Sequence, residues 1–139
     1  AFSNSHGAVI HAIGDACEKI SDVSHGDVLS VLLPHGMFHN LKYDYCKKSY
    51  EDILLALEGP EVYAETKAED RALMAVDSIV GILGDLRFIT GIPVRLEEIG
   101  IERSDFDEII DKAIHNSAIL NSAGKVSRED IRSILEAAY

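Results

Sequence analysis

Side chains able to hold a metal or move a proton crowd the start of this chain. Five of its six histidines (His6, His11, His25, His35 and His39) lie between Ser5 and Asn40. His11 and Asp15 stand four apart, so a helix from Gly7 to Ile20 would present both on one face, an arrangement by which a single helix offers two groups to a metal. His25 is the third group. In an unbroken helix it would share the face of His11 but lie about 21 Å along the axis, whereas metal–nitrogen bonds are only about 2.0–2.1 Å. The chain must therefore fold back between them. Ser21-Asp22-Val23-Ser24 supplies the break, because short polar side chains favour turns and caps over helix interiors. The roughly 14 Å of helix from His11 to Ile20 matches what four extended residues can span on the return. His25 is thus expected beside His11, at or near the start of a second helix, where the dipole favours the neutral imidazole that ligation needs.

Two histidines and one carboxylate fall one short of a closed four-ligand site, and the same cluster also reads as surface or hydrogen-bonded core histidines. His35 and His39 are four apart and would share a face if their helix continues past Pro34, but hydrogen bonding or surface exposure suits them better than ligation. His115, near the end of a later helix, is expected to pair with the helix dipole. The acidic clusters read as solvated faces and first-turn charges, since no Asp-x-Asp-x-Asp-Gly loop is present.

The elements that must position these groups read as helices throughout. Ala1 to Ile20 carries Val9, Ile10, Ile13, Ala16, Cys17 and Ile20 on one broad face, with Gly7 and Gly14 permitting close approach of a substrate or of another helix. Ser24 is placed to cap a second helix through Val28 to Leu33, with a kink or stop at Pro34. Ser49 is expected to cap a short helix that ends at Gly59-Pro60. Leu73, Val76, Val80 and Leu83 follow a +3, +4, +3 spacing inside a long helix from Lys67 to Thr90, and their stripe is expected to be core. Gly91-Ile92-Pro93 stops it, and a single turn of helix follows over residues 94–100. Ser104 is expected to cap a helix from Asp105 to His115, and Ser127-Arg128-Glu129-Asp130 to cap the last one. No alternating strand pattern, glycine-rich phosphate loop or Cys-x-x-Cys pair occurs, so the fold class is all-α, a helical bundle.

Composition narrows the function. At 139 residues and 47% hydrophobic content the chain suits one domain, residues 1–139, with a real core. A net charge of −11 with dispersed basic residues argues against nucleic acid or an anionic membrane as partner. Only Cys17 and Cys46 are present; Cys17 reads as a buried thiol, and a cytoplasmic, reducing setting fits. No run approaches a membrane span, and the start lacks the basic-then-apolar order of a signal peptide. Opening on Ala1, the chain reads as a fragment, a processed product or an engineered piece.

The order of residues is more specific than their spacing. Ala1-Phe2-Ser3-Asn4, His11, His25-Gly26, Leu32-Leu33-Pro34-His35 and Asn40 together closely resemble the iron-containing (metal-dependent) alcohol dehydrogenases, and Gly91-Ile92-Pro93 adds to the match. The resemblance covers the whole chain but only about the last third of a family member, the C-terminal helical domain of the dehydroquinate synthase-like fold. It implies that His11 and His25 are two of four ligands to a catalytic divalent metal, iron or zinc. It also implies an NAD or NADP cofactor held by a domain absent here, and a small alcohol or aldehyde substrate. Asp15 stands where many members have a histidine near the substrate, and is read as a base or an extra ligand in its place. Asn121-Ser122-Ala123 departs from the Asn-Pro-Arg often found late in the family. The expectation is a C-terminal metal-binding portion that is inactive alone. The alternatives are a non-catalytic helical remnant or interaction module that self-associates, and one half of a split enzyme completed by a missing N-terminal half.

Overall fold

The computed structural model describes residues 8–139, and every regular element in them is helical. His6, Gly7 and the Ala1-Phe2-Ser3-Asn4 segment lie outside the described residues. Helix α1 (Ala8–Glu18) is followed by α2 (His25–Asn40), α3 (Asp44–Glu65), α4 (Arg71–Thr90), α5 (Phe106–Ile114) and α6 (Arg128–Ala138). Short 3-10 turns occupy Leu96–Ile99, Arg103–Asp105 and Ser117–Asn121.

Two apolar clusters share α2 as a wall. The larger gathers Ile13, Cys17, Val28 and Leu32 from α1 and α2 with Leu96, Ile101, Phe106, Ile109, Ile131 and Leu135, all essentially inaccessible. The smaller joins Met37 at the end of α2 to Cys46, Tyr50 and Leu54 of α3 and to Ala72, Ala75 and Val76 of α4, with Leu33 packed against both. Buried Asn40 hydrogen-bonds Tyr50, tying the end of α2 to α3, and burial pushes the Tyr50 hydroxyl up to about 12. The approach of α1 to α2 depends on missing side chains: a Cβ on Gly14 would sit 3.0 Å from Leu29 Cδ2, and one on Gly36 would sit 2.3 Å from Ile10 Cγ2. Gly14 therefore serves helix packing.

Several boundaries differ from expectation. Pro34 does not stop α2, which runs on to Asn40 because Gly36 and Met37 beyond the proline are themselves buried. Ser24 occupies the N-cap position without a side-chain cap bond; its carbonyl takes the Val28 N–H at 3.0 Å. Helix α3 starts at Asp44 rather than Ser49, whose hydroxyl donates to the Tyr45 carbonyl at 3.2 Å inside the helix. Gly59 does break the helical backbone (φ 84°, ψ 175°), yet helix resumes through Pro60, where a proline in the first turn has no N–H to satisfy. Helix α4 starts at Arg71 rather than Lys67 and ends at Thr90 as expected, with Gly91 in the left-handed conformation returning its N–H to the Arg87 carbonyl at 2.8 Å. Before α5 the capping box is built by Glu102 and Asp105, and Ser104 instead donates to the Glu102 carboxylate. Ser127 and Asp130 cap α6 reciprocally, as expected.

The largest departure concerns α4. Of its expected core stripe only Val76 is buried; Leu73 and Val80 are 42% and 50% exposed, and Phe88 and Ile89 nearer its end are 92% and 75% exposed. Helix α4 packs mainly against α3 and α2, and much of its apolar surface stays exposed.

Candidate metal centre

Helix α1 carries His11 and Asp15 one turn apart on one face, as their spacing requires. The chain leaves α1 through a tight turn in which Ile20 and Ser21 return their N–H groups to the Cys17 carbonyl at 3.0 and 2.9 Å. It then re-enters helix at His25, the first residue of α2. The fold-back expected at Ser21–Ser24 is thus present, and the His11 and His25 rings stack with centroids 5.8 Å apart and planes inclined by 26°.

Two further residues join them. Glu18, the last residue of α1, places Oε1 in contact with Nδ1 of His25. Among the described residues Asp15, Glu18 and His25 each bring a donor atom within 4.8 Å of the others, a group that does not include His11. Asn116, after α5, donates its side-chain N–H to Asp15 Oδ2 at 2.8 Å, while its side-chain Oδ1 accepts the Ala118 N–H at 2.9 Å. Asn116 is therefore held at both ends and fixes one oxygen of Asp15. Sequence reasoning passed over both residues. Glu18 carried a usable signal, since it lies seven residues after His11 and three after Asp15, on the same helical face. Asn116 is 101 residues from Asp15, and no local spacing announces that contact.

The donor set suits a divalent ion of the iron or zinc type, because imidazole and carboxylate are the groups such ions take. Asp15 is half-buried, whereas Glu18 and His25 face solvent, so one side of the cluster is open. The nearby Cys17 thiol is wholly buried and is pushed up to about 12, by burial first and then by the charges of Asp105 and Glu18. It stays a protonated core group. Cys46 is likewise buried and unbridged.

The other histidines go elsewhere. His35 and His39 are half-buried on α2, burial lowers the affinity of both for a proton, and His39 Nε2 lies 3.8 Å from Asp130 Oδ1. Among the described residues no metal-holding group forms around them. His115 caps α5, where its Nδ1–H donates to the Asp111 carbonyl at 2.7 Å, the dipole-facing role expected for it. His35 also lines an apolar cleft of about 450 Å³ between α2 and α4, with Phe38, Val80, Leu83 and Pro93. No helix among the described residues is long and apolar enough to cross a membrane.

Comparison with known proteins agrees with the order of these residues. The chain is 24% identical over 139 residues to 1,3-propanediol dehydrogenase of Klebsiella pneumoniae, and 25% identical over the same span to alcohol dehydrogenase 4 of Saccharomyces cerevisiae. It is 29% identical over 141 residues to long-chain-alcohol dehydrogenase 1 of Geobacillus thermodenitrificans. Each alignment takes in 100% of this chain but only 33–34% of the relative, so the chain spans about a third of the length of the curated proteins it matches. Among solved structures, an alcohol dehydrogenase from Oenococcus oeni superposes with a TM-score of 0.79 at 25% identity, covering 94% of this chain and 32% of that one. A family model described as the C-terminal part of the Fe-containing alcohol dehydrogenases matches residues 1–139, and the chain accordingly belongs to that family.

Proposed function

We propose that residues 1–139 form the helical metal-binding domain of an oxidoreductase acting on small alcohols or aldehydes with NAD or NADP. The observation that carries this reading is the stacking of the His11 and His25 rings, centroids 5.8 Å apart, with Asp15 and Glu18 grouped about His25, in a chain of this family. His11 and His25 would hold the ion, iron or zinc, through neutral ring nitrogens. When bound, the ion supplies Lewis acidity toward the substrate's alcohol or carbonyl oxygen. Asp15, held by Asn116 through one oxygen, keeps its other oxygen to orient substrate or water, or to accept a proton. Hydride exchange needs a nicotinamide held against the substrate, and this chain has no glycine-rich pyrophosphate loop to hold one. The isolated chain is therefore expected to bind metal weakly and to turn nothing over.

Elemental analysis of chain purified without chelator or histidine tag, followed by titration with zinc and with iron(II), tests this directly. Uptake of about one ion per chain that falls on His11→Ala and on His25→Ala supports the reading. A chain that takes up neither ion, or takes up as much after both substitutions, overturns it, and turnover of a short-chain alcohol by the isolated chain overturns the expected inactivity.

The exposed apolar surface of α4 favours a second reading, in which the chain associates with itself or with another chain through that face. Sedimentation at several concentrations separates the two: a monomer at all of them removes self-association, and a dimer dispersed by Phe88→Glu supports it.

A further inference from the structure

We propose that Glu18 is the positioning residue of His25: its carboxylate accepts a hydrogen bond from Nδ1–H and leaves Nε2 as the metal-binding nitrogen. This rests on the reading of His25 as a ligand. A neutral imidazole carries one proton, and an ionised carboxylate can only accept, so contact between Glu18 Oε1 and His25 Nδ1 requires the proton to sit on Nδ1. The lone pair is then on Nε2. Two ligands to one ion, each about 2.1 Å from it at tetrahedral angles, would stand about 3.4 Å apart rather than in hydrogen-bond contact. Glu18 Oε1 therefore acts through His25 and not on the ion.

The local fold makes this contact hard to avoid. Glu18 ends α1 and His25 begins α2, so the pair spans the whole connecting turn and pins the ring where the turn delivers it. The arrangement at Asp15 is parallel: Asn116 occupies Oδ2 and leaves the other oxygen. Each is held from outside on one atom and presents the second, as outer-shell partners hold metal ligands.

The experiment uses the full chain and its E18A, E18Q and H25A variants. Nitrogen-15 NMR of the metal-free proteins in alkaline buffer reads the His25 tautomer, and calorimetric titration with cobalt(II) reads metal affinity. The wild-type His25 should be the Nδ1–H tautomer. E18A should move it toward Nε2–H and weaken cobalt binding by about 10–100-fold. E18Q, whose amide oxygen still accepts from Nδ1–H, should keep the tautomer and most of the affinity. An unchanged tautomer in E18A overturns the proposal, as does an E18Q variant that loses cobalt as fully as E18A, which would make the carboxylate a ligand. If H25A abolishes binding while E18A leaves it intact, only the role of Glu18 falls. If H25A leaves binding intact, the metal reading falls and takes this proposal with it.

Discussion

Helices α1 and α4 are both rich in apolar residues, and their fates differ. Eight of the 11 residues of α1 are buried, whereas of the 20 residues of α4 only Ala72, Ala75 and Val76 are. The difference lies in their neighbours. Helix α1 is enclosed by α2, α5 and the 3-10 turn at Ser117–Asn121, while α4 rests on α3 and α2 and turns its remaining apolar side chains outward. Hydrophobic spacing states which residues share a face, and only the surrounding elements decide whether that face is covered. Of the metal-site candidates, His11, Asp15 and Glu18 sit on the enclosed helix and His25 at the start of α2 beside it, so the backbone of the first three is fixed by packing that the chain supplies itself.

The sharpest way to break this contrast is to cut the same kind of side chain from each helix. Ile13→Ala should cost about 2–5 kcal/mol in urea unfolding, because Ile13 is wholly inaccessible and a cavity would remain. Phe88→Ala should change stability by no more than about 0.5 kcal/mol, since the ring is 92% exposed. A comparable loss at both positions would mean that the outer face of α4 is covered in solution, and the loss at Phe88 would then fade on dilution. Gly36→Ala probes the contact of α1 with α2. Its new Cβ would meet Ile10 Cγ2 at 2.3 Å, and the overpacking should cost about 1–3 kcal/mol by the same measurement.

What was legible in the sequence follows the same division. The all-helical class, the turn between α1 and α2, the arrival of His25 at a helix start and the Ser127 cap are local consequences of residue type and spacing, and the structure has them. The start of α3 was missed because Ser49 looks like a cap, yet a serine inside a helix can donate back to the carbonyl four residues earlier, as it does here to Tyr45. At Pro34, where a kink or a stop was open, the helix does not stop, because a proline's local cost is outweighed when the residues beyond it are buried. The exposed face of α4 and the bond from Asn116 to Asp15 are tertiary facts. Spacing has no access to what is missing beside a helix or to what arrives from 101 residues away.

The cap of α6 offers a smaller effect on the enclosed side. Ser127 Oγ accepts the Asp130 N–H at 3.1 Å, and Asp130 Oδ2 accepts the Ser127 N–H at 2.8 Å, while Lys42 Nζ reaches Asp130 Oδ1 at 2.9 Å from beyond the end of α2. Ser127→Ala should cost about 1 kcal/mol in a thermal or urea melt. Burial pushes the Asp130 carboxyl up, but the hydrogen bonds from Ser127 and Lys42 outweigh it and hold the group well below the usual carboxylate range. With the folded pKa depressed, the stabilisation is present above the unfolded value and is lost as pH falls through the folded one. Asp130→Asn should therefore flatten the acid limb of the stability curve and lower stability at neutral pH. An unchanged limb would show that the Lys42 link between α2 and α6 contributes nothing.

The smallest effect is expected where the two regions are strapped together at the surface. Arg87 near the end of α4 donates to both oxygens of Glu98, at 2.7 and 2.9 Å, and the Val94 N–H donates to the same carboxylate at 2.9 Å. Glu98 belongs to the 3-10 turn whose Leu96 is buried in the larger cluster, so this fork ties the thinly covered α4 to the enclosed part of the chain. The Arg87 guanidinium and then the Val94 N–H hold the Glu98 carboxyl down to about 2. By the same sign argument its contribution is complete above the ordinary carboxylate range and disappears as pH falls toward about 2. Solvent and salt screen an exposed pair, so Glu98→Gln should shift the acid limb less than Asp130→Asn does, and less again at high ionic strength. Amide exchange sharpens the reading: the substitution should raise exchange at the C-terminal end of α4 while leaving α1 unchanged. If exchange rises equally in both helices, α4 is held to the core by this fork to a degree that its small buried area does not suggest, and the contrast between the two helices is weaker than their burial implies.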